Sequence, residues 1–298
     1  METSKFKSGF VTVIGRPNVG KSTLVNALVG EKVAIISNKP QTTRNRISAV
    51  YTDSEKQIVF IDTPGIHKPK NKLGEFMVRS AKTTYNEVDL ILLMVDDSKS
   101  IGPGDTHIIE SIKDIKTPVL LVVNKLDLIK PEEYKKIYEK YGKMDGFDGI
   151  IGISAKNQMN LKQLIDAIGS YMTEGPKYFP EDMVTDQPER FIASEIIREK
   201  LLNSLYDEVP HGIAVGIEKM EKRKDAEITD VYAIIYCEKK SHKGIIIGKN
   251  GKVIKRVGTE ARKEIENLLG NKVFLEIWVK IKEEWRDRDS LLNKFGYR

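Results

Sequence analysis

The sequence predicts an α/β protein whose mostly parallel sheet is covered on both faces, followed by a smaller α+β domain. Three observations predict it. In the first half, continuous apolar runs such as "LILLMV" (Leu90 to Val95) alternate with helix-like segments, the pattern of strands buried on both faces. Around Pro176, Pro180 and Pro188 this alternation stops, and the stretch "TEGPKYFPEDMVTDQPER" carries no sustained periodicity. Beyond it, the strand-like segments alternate apolar and polar residues, as strands with one buried face do. The boundaries read as a first domain over 1–175, a linker over 176–190 and a second domain over 191–298.

The elements come in this order. "GFVTVIG" is a buried strand and "KSTLVNALVG" the helix after it. "KQIVFIDTPG" is a strand ending in a turn, and "DLILLMVDDS" and "TPVLLVVNKLD" are further buried strands. "GIIGISA" is a short strand, and "NLKQLIDAIGSYM" an amphipathic helix that closes the first domain. After the linker a helix, "RFIASEIIREKLLNSLYDE", precedes two strands, "HGIAVGIEKMEK" and "AEITDVYAIIYCEKK", which read as an antiparallel pair. "HKGIIIG", the Gly-rich "GKNG", the helix "KVIKRVGTEARKEIENLLG" and the strand "KVFLEIWVKIKEEW" complete an α-β-β-α-α-β order. In such sheets ligands sit at the carboxyl ends of the strands, and the motifs below fall there.

Composition narrows the class. A chain of 298 residues with 40% hydrophobic and 31% charged residues fits two domains with sizeable cores. Its single cysteine, Cys237, excludes an intrachain disulfide framework and a CxxC zinc site, which points to the reducing cytoplasm. No secretory signal and no bilayer-length apolar run is expected. The net charge of +6 is modest but unevenly placed: from Lys239 to Lys263 nine Lys and Arg stand against one acid, Glu260. That segment is the expected contact for a polyanion.

The stretch "GRPNVGKS" fits G-x-x-x-x-G-K-[ST] between a strand and a helix, the context of a phosphate-binding loop. Gly15 and Gly20 permit backbone geometry that a Cβ would block. The loop residues Asn18, Val19, Gly20, Lys21, Ser22 and Thr23 then surround the phosphates, helped by the helix N-terminus. Lys21 should reach the β and γ phosphates, and Ser22 should ligate Mg²⁺. "NKLD" selects the base. The Asp127 carboxylate can accept from N1–H and the 2-amino group of guanine, donors that adenine lacks. Asn124 and the stem of Lys125 brace the loop and cover the base. In "SAK" (Ser154, Ala155, Lys156) the Ala155 amide can meet guanine O6. "DTPG" places Asp62 near the Mg²⁺ and lets the Gly65 amide sense the γ-phosphate. In "NKPQTTRNRI" a threonine should close over Mg²⁺, Thr43 being preferred and Thr42 the alternative. Lys21, Thr43, Asp62 and Gly65 are thus the candidate catalytic residues for GTP hydrolysis to GDP, and Ser22, Thr43 and Asp62 the candidate metal ligands. Ile66, after Gly65, cannot orient an attacking water by hydrogen bonding, so unaided hydrolysis should be slow, as suits a switch.

Together, "GRPNVGKS", "PQTTR", "DTPG", "NKLD" and "SAK" resemble the translation-factor-related bacterial GTPases. The linker "YFPEDMVTDQPERFIASEIIREK" followed by "IIIGKNGKVIK" narrows the resemblance to the Era family of ribosome-assembly GTPases. The resemblance covers nearly the whole chain. It implies a Ras-like GTPase domain joined to a type II KH domain. It also implies binding near the 3′ end of 16S ribosomal RNA on the 30S subunit, action as a monomer, and peripheral association with the cell membrane. It further suggests a K⁺-assisted site near Asn18. The residues of the second half agree with an RNA face. Gly248 and Gly251 permit a tight turn between two helices, and Lys249, Asn250 and Lys252 can contact the sugar-phosphate backbone. Ile245 and Ile246 are expected to line a groove for about four unstacked bases. Trp278 is expected in the core of the last strand, Trp285 is left open, and His242 is read as a helix-start residue with no metal partner. A membrane-surface switch is a competing reading, but lipid needs charge and not a GxxG turn.

Overall fold

A computed structural model describes residues 6–37, 39, 42–65, 69, 71–96 and 101–297. The chain divides into two compact units. The first gathers Met1–Ala34, Thr43–Lys68 and Met77–Asp186, and the second Ile35–Thr42, Pro69–Phe76 and Gln187–Arg298.

In chain order the first half comprises β1 (Lys7–Gly15), α1 (Lys21–Val29), β2 (Ile47–Thr52), β3 (Lys56–Asp62), α2 (Lys72–Thr83), β4 (Leu90–Val95), α3 (Pro103–Ile112), β5 (Val119–Val123), α4 (Pro131–Tyr141), β6 (Gly149–Gly152), α5 (Leu161–Tyr171) and β7 (Thr173–Glu174). The sheet order is β2-β3-β1-β4-β5-β6, with β7 added to the start of β1. β3-β1-β4-β5-β6 are parallel and β2 runs antiparallel to β3. The fold is the Ras-like, mostly parallel α/β sheet. The continuous apolar runs are explained by two cores. Leu90, Leu92 and Met94 enter one with Val11, Phe60 and Leu24, while Ile91, Leu93 and Val95 enter the other with Ile61, Leu121 and Ile108. Each side chain of β4 is buried, whichever face it takes.

β2 is not among the strands expected from the sequence. The polar stretch "NKPQTTRNRI" ends at Ile47, and the same residue opens β2 and pairs with Asp62. The proline-rich stretch is also more ordered than its composition implies. Gln57 donates from Nε2 to the Phe179 carbonyl at 2.9 Å and accepts the Tyr178 and Phe179 amides at Oε1 at 2.7 and 3.0 Å. Thr185 bridges to Ala49, and the ring of Tyr178 lies 4.8 Å from that of Phe10. These contacts keep the chain on the first unit up to Asp186.

The second half comprises α6 (Glu189–Ser204), β8 (Ile213–Lys222), β9 (Ile228–Cys237), α7 (Lys240–Ile247), α8 (Lys252–Leu269), β10 (Lys272–Ile281) and α9 (Asp289–Lys294). This is the expected α-β-β-α-α-β order, a type II KH arrangement, with α9 added. The sheet runs β10-β9-β8, β9 being antiparallel to β8 and parallel to β10. α6 and α8 bury Ile197, Leu201, Val257, Ala261 and Ile265 against Val231, Ala233 and Ile235 of β9.

One expectation fails among the tryptophans of this unit: Trp278 is 59% exposed, not core, while Trp285, which the sequence left open, is fully buried. Along β10, Val273, Leu275, Ile277 and Val279 pack towards the helices, so strand alternation turns Trp278 to the other face, where it donates to Glu276 Oε1 at 2.7 Å. Trp285 donates from Nε1 to the Gly212 carbonyl at 2.9 Å and stacks on Tyr297 at 5.8 Å. Cys237 is buried and reduced, and burial raises its thiol pKa. Among the described residues, no helix is long and apolar enough to cross a membrane.

Candidate nucleotide site and candidate nucleic-acid interface

The carboxyl ends of the parallel strands define one edge of the first unit's sheet, and four of the five carry a motif. β1 ends at Gly15, β3 at Asp62, β5 immediately before Asn124, and β6 two residues before Ser154. The phosphate loop turns from β1 into α1 through Asn18 (φ 67°) and Gly20 (φ 103°). A Cβ on Gly20 would meet Asn124 Nδ2 at 2.4 Å, so only glycine lets the two loops approach so closely. α1 then runs from Lys21, with Leu24, Val25 and Leu28 buried, and stops at Gly30 in a left-handed cap.

Lys21 is buried, and its ammonium donates to the Gly15 and Arg16 carbonyls at 3.0 and 2.9 Å. Burial lowers its pKa to about 8, against the pull of Asp62. Three oxygens from three segments converge beside it. Ser22 Oγ lies 2.8 Å from Asp62 Oδ2 and 3.0 Å from Thr43 Oγ1, and Thr43 Oγ1 lies 3.2 Å from the same Asp62 oxygen. Thr42 has turned its hydroxyl elsewhere, to the Lys39 carbonyl at 2.6 Å. Of the two threonines, Thr43 is the one whose hydroxyl meets Ser22 and Asp62. Asp62 is fully buried, which raises its carboxyl pKa, and its Oδ1 makes no well-formed hydrogen bond. A buried carboxylate oxygen without a partner beside two hydroxyls suits a hard divalent cation such as Mg²⁺. Among the described residues, no group of three His, Cys, Asp or Glu side chains could hold a metal, so this mixed hydroxyl and carboxylate set is the candidate. Gly65 lies within reach of the same point: a Cβ built on it would be 3.4 Å from Lys21 Nζ. Ile66 lies outside the described residues.

The base-side loops are fastened to the phosphate loop. Asn124 donates to the Val19 carbonyl at 2.8 Å and accepts the Ala155 amide at 2.9 Å. The Ala155 amide, the expected donor to guanine O6, thus also ties the "SAK" turn to Asn124. Val19 contributes only backbone, its side chain being core. Asp127 Oδ1 accepts from Ser154 Oγ at 2.5 Å, which orients the carboxylate. Lys125 stands at a left-handed position (φ 67°) and reaches Asp96 Oδ2 at 3.0 Å. Asn18 and Lys156 are exposed, and Thr23 is partly buried.

In the second unit, Gly248 ends α7 with φ 74°, and a Cβ there would strike Val253 Cγ2 at 2.4 Å. Asn250 and Gly251 also take positive φ before α8 begins at Lys252. Lys249, Asn250 and Lys252 are exposed, and Ile245 is 49% exposed. Ile246 is not: it is fully buried in the unit's core, so the expectation that it lines a groove is wrong. A groove lies one element further on. A cavity of about 350 Å³ runs between α8 and β10, lined by Ile254, Lys255, Gly258 and Arg262 on one side and Leu275 and Ile277 on the other. The sequence reading missed these residues. Their signal was the basic positions of α8 on the same helix side as Gly258, facing the alternating apolar residues of β10.

A phosphate loop, a base-selecting "NKLD" loop and a Ras-like sheet define a P-loop GTPase domain, here joined to a KH domain. Residues 10–125 match the family described as "50S ribosome-binding GTPase", and residues 208–286 match the KH domain family. GTPase Era of Clostridioides difficile (strain 630) is 60% identical over 98% of this chain and 99% of its own length. GTPase Era of Alkaliphilus oremlandii (strain OhILAs) is 57% identical over 98% and 99%. A crystal structure of Era with MgGDPNP and nucleotides 1506-1542 of 16S ribosomal RNA superposes with a TM-score of 0.94 at 42% identity, covering 98% of this chain and 99% of that one. An Aquifex aeolicus Era variant bound to GDP.AlF4⁻ gives the same values. The chain belongs to the GTPase Era family.

Proposed function

We propose that this chain is a GTP-driven switch that binds 16S ribosomal RNA near its 3′ end during assembly of the small ribosomal subunit. The observation that carries the reading is the convergence of Ser22, Thr43 and Asp62 beside the buried Lys21. A domain kept only as scaffold would fill this place with apolar side chains, not with a buried carboxylate and ammonium. The relatives' complexes with MgGDPNP and an rRNA fragment, and with GDP.AlF4⁻, support the same reading.

The residues divide the work. Asp127, oriented by Ser154, accepts from guanine N1–H and its 2-amino group. Lys21 and the N-terminus of α1 meet the β and γ phosphates. Ser22, Thr43 and Asp62 would hold Mg²⁺, which when bound supplies the positive charge that the phosphate oxygens need during transfer. Water adds to the γ-phosphorus as its bond to the β–γ bridging oxygen breaks. GDP and phosphate leave, and one proton is released. Because Thr43 lies on a long polar segment, loss of the γ-phosphate frees that segment to move. Asn18 in the phosphate loop is the candidate neighbour of K⁺, and hydrolysis should be faster in K⁺ than in Na⁺; equal rates in the two salts would remove K⁺ from the account.

In the second unit, Lys249 and Asn250 approach the RNA backbone, and the α8–β10 groove receives about four unstacked bases. We place the nucleotide domain over 1–175, with 176–190 as a linker that clusters with it as far as Asp186, and the RNA-binding domain over 191–298. The exposed GxxG turn beside an apolar groove favours RNA over a lipid surface. The test is crosslinking of the full chain to 30S particles in the GTP and GDP states, with sequencing of the joined RNA. Contacts clustered at the 16S 3′ end are expected. Contacts scattered along the RNA, or the absence of any, would defeat the proposal.

A further inference from the structure

Arg16 sits in the phosphate loop, yet its guanidinium is directed at two carboxylates. Nε donates to Asp105 Oδ1 at 2.7 Å, and Nη2 donates to Asp96 Oδ1 at 3.0 Å. The other Asp96 oxygen, Oδ2, accepts from Lys125 Nζ at 3.0 Å. Asp96 therefore places one oxygen on each of two cations that belong to different nucleotide loops. Its position in the sheet makes this possible. It comes directly after β4, and β4 lies between β1, which feeds the phosphate loop, and β5, which feeds the "NKLD" loop.

The arrangement is tightly built. The Asp96 side chain is 13% exposed and that of Asp105 1%. A Cβ on Gly104 would meet Arg16 Cδ at 2.8 Å, so the Arg16 stem lies against the first turn of α3. Charge-assisted hydrogen bonds in such partly dry surroundings are stronger than neutral ones. A lysine stem has four rotatable bonds, and fixing its ammonium removes freedom before the ligand arrives.

We propose that Asp96 is a positioning residue for the nucleotide: it couples the phosphate loop to the base-recognition loop by holding Arg16 and Lys125 at once. The Lys125 stem is thereby set against the plane where the base lies, and the phosphate loop keeps its shape from the same carboxylate. The inference rests on the nucleotide reading above.

A double-mutant cycle in the full chain tests it, read by titration with a fluorescent GDP analogue and by competition with GDP and ADP. Asp96→Ala removes the shared acceptor, and Lys125→Met keeps the stem but removes the ammonium. Lys125→Met should weaken GDP binding by about tenfold and Asp96→Ala, which releases Arg16 as well as Lys125, by at least as much; the double variant should stay near the loss of Asp96→Ala, because the Lys125 contact is already broken in it. Asp96→Asn keeps one strong acceptor and should fall between parent and Asp96→Ala. Thermal unfolding of the nucleotide-free variants reports folding. A double variant that loses the full product, about a hundredfold, would overturn the proposal, because groups that merely stabilise the domain act independently. So would parental affinity in Asp96→Ala. If Asp96→Ala does not fold, the same cycle with Asp96→Asn decides, and additive losses overturn the idea. A parent chain that binds ADP as well as GDP would instead defeat the nucleotide reading, an outcome separate from either result of the cycle.

Discussion

Asp127, the proposed base-selecting residue, shows how much a single position can carry. One of its oxygens takes the Ser154 hydroxyl at 2.5 Å, so the carboxylate is oriented before a base arrives. Asparagine in its place would still accept from Ser154, so the loop should keep its shape. It would, however, oppose an N–H₂ to the guanine donors. Asp127→Asn should therefore lose GTP affinity by about a hundredfold and gain affinity for xanthosine triphosphate, whose 2-oxo group accepts from the amide. Competition binding with the two nucleotides reads this directly, and GTP affinity left at the parental level would remove Asp127 from base recognition. At this scale the sequence was most legible. Gly15, Asp62, Asn124 and Asp127 stand at or just past strand ends, and Lys21 at the start of α1, because their chemistry needs fixed spacing. The choice between Thr42 and Thr43 was not legible. Adjacent residues in a polar loop have the same composition signal, and only the direction of each hydroxyl separates them.

Elements were legible where periodicity was long and were misread where it was short. The α8 helix and the α-β-β-α-α-β order arise from patterns many residues long. The run "GIIIG" has three consecutive isoleucines and no phase of its own, so nothing in it says that Ile246 is buried while Ile245 faces out at 49% exposure. Trp278 was legible but misjudged. Its parity along β10 groups it with Phe274, Glu276 and Lys280, not with Val273, Leu275 and Ile277, and parity outweighs side-chain hydrophobicity. The two tryptophans give a stability prediction. Trp285→Ala should destabilise the second unit by about 3–5 kcal/mol, because a fully buried indole and its hydrogen bond to Gly212 are lost. Trp278→Ala should change stability by less than about 1 kcal/mol. Urea unfolding of each variant checks the pair, and equal losses would contradict the assignment of faces. The GxxG turn yields a second prediction at this scale. Lys249→Asp with Asn250→Asp keeps Gly248 and Gly251, and aspartate tolerates the left-handed conformation at position 250. RNA affinity should collapse while GTP hydrolysis stays near parental. A salt titration should show a steep loss in the parent and little left to lose in the variant. Unchanged binding by the folded variant would place the RNA contact elsewhere.

For the whole molecule, the chemistry of one domain matters only if it changes what the other binds. The sequence showed two kinds of domain, through the change from buried parallel strands to alternating ones. It did not show that residues 35–42 and 69–76 cluster with the second compact unit while the residues on either side cluster with the first. Nor did it show that the proline-rich stretch is held to Gln57 and β2, since these contacts depend on residues more than a hundred positions apart. Segment 35–42 immediately precedes Thr43, whose hydroxyl meets Ser22 and Asp62. In the proposed switch, a γ-phosphate holds Thr43 through Mg²⁺, and its loss releases that contact. The most direct measurement is the affinity of the full chain for an RNA oligonucleotide of the 16S 3′ end, by fluorescence anisotropy with Mg²⁺ and either a non-hydrolysable GTP analogue or GDP. Binding at least about tenfold tighter with the GTP analogue is the expected result, the size of an ordinary allosteric coupling. Equal affinity in the two states, with the nucleotide site saturated, would contradict a switch and leave an RNA-binding protein whose GTPase does not govern its grip.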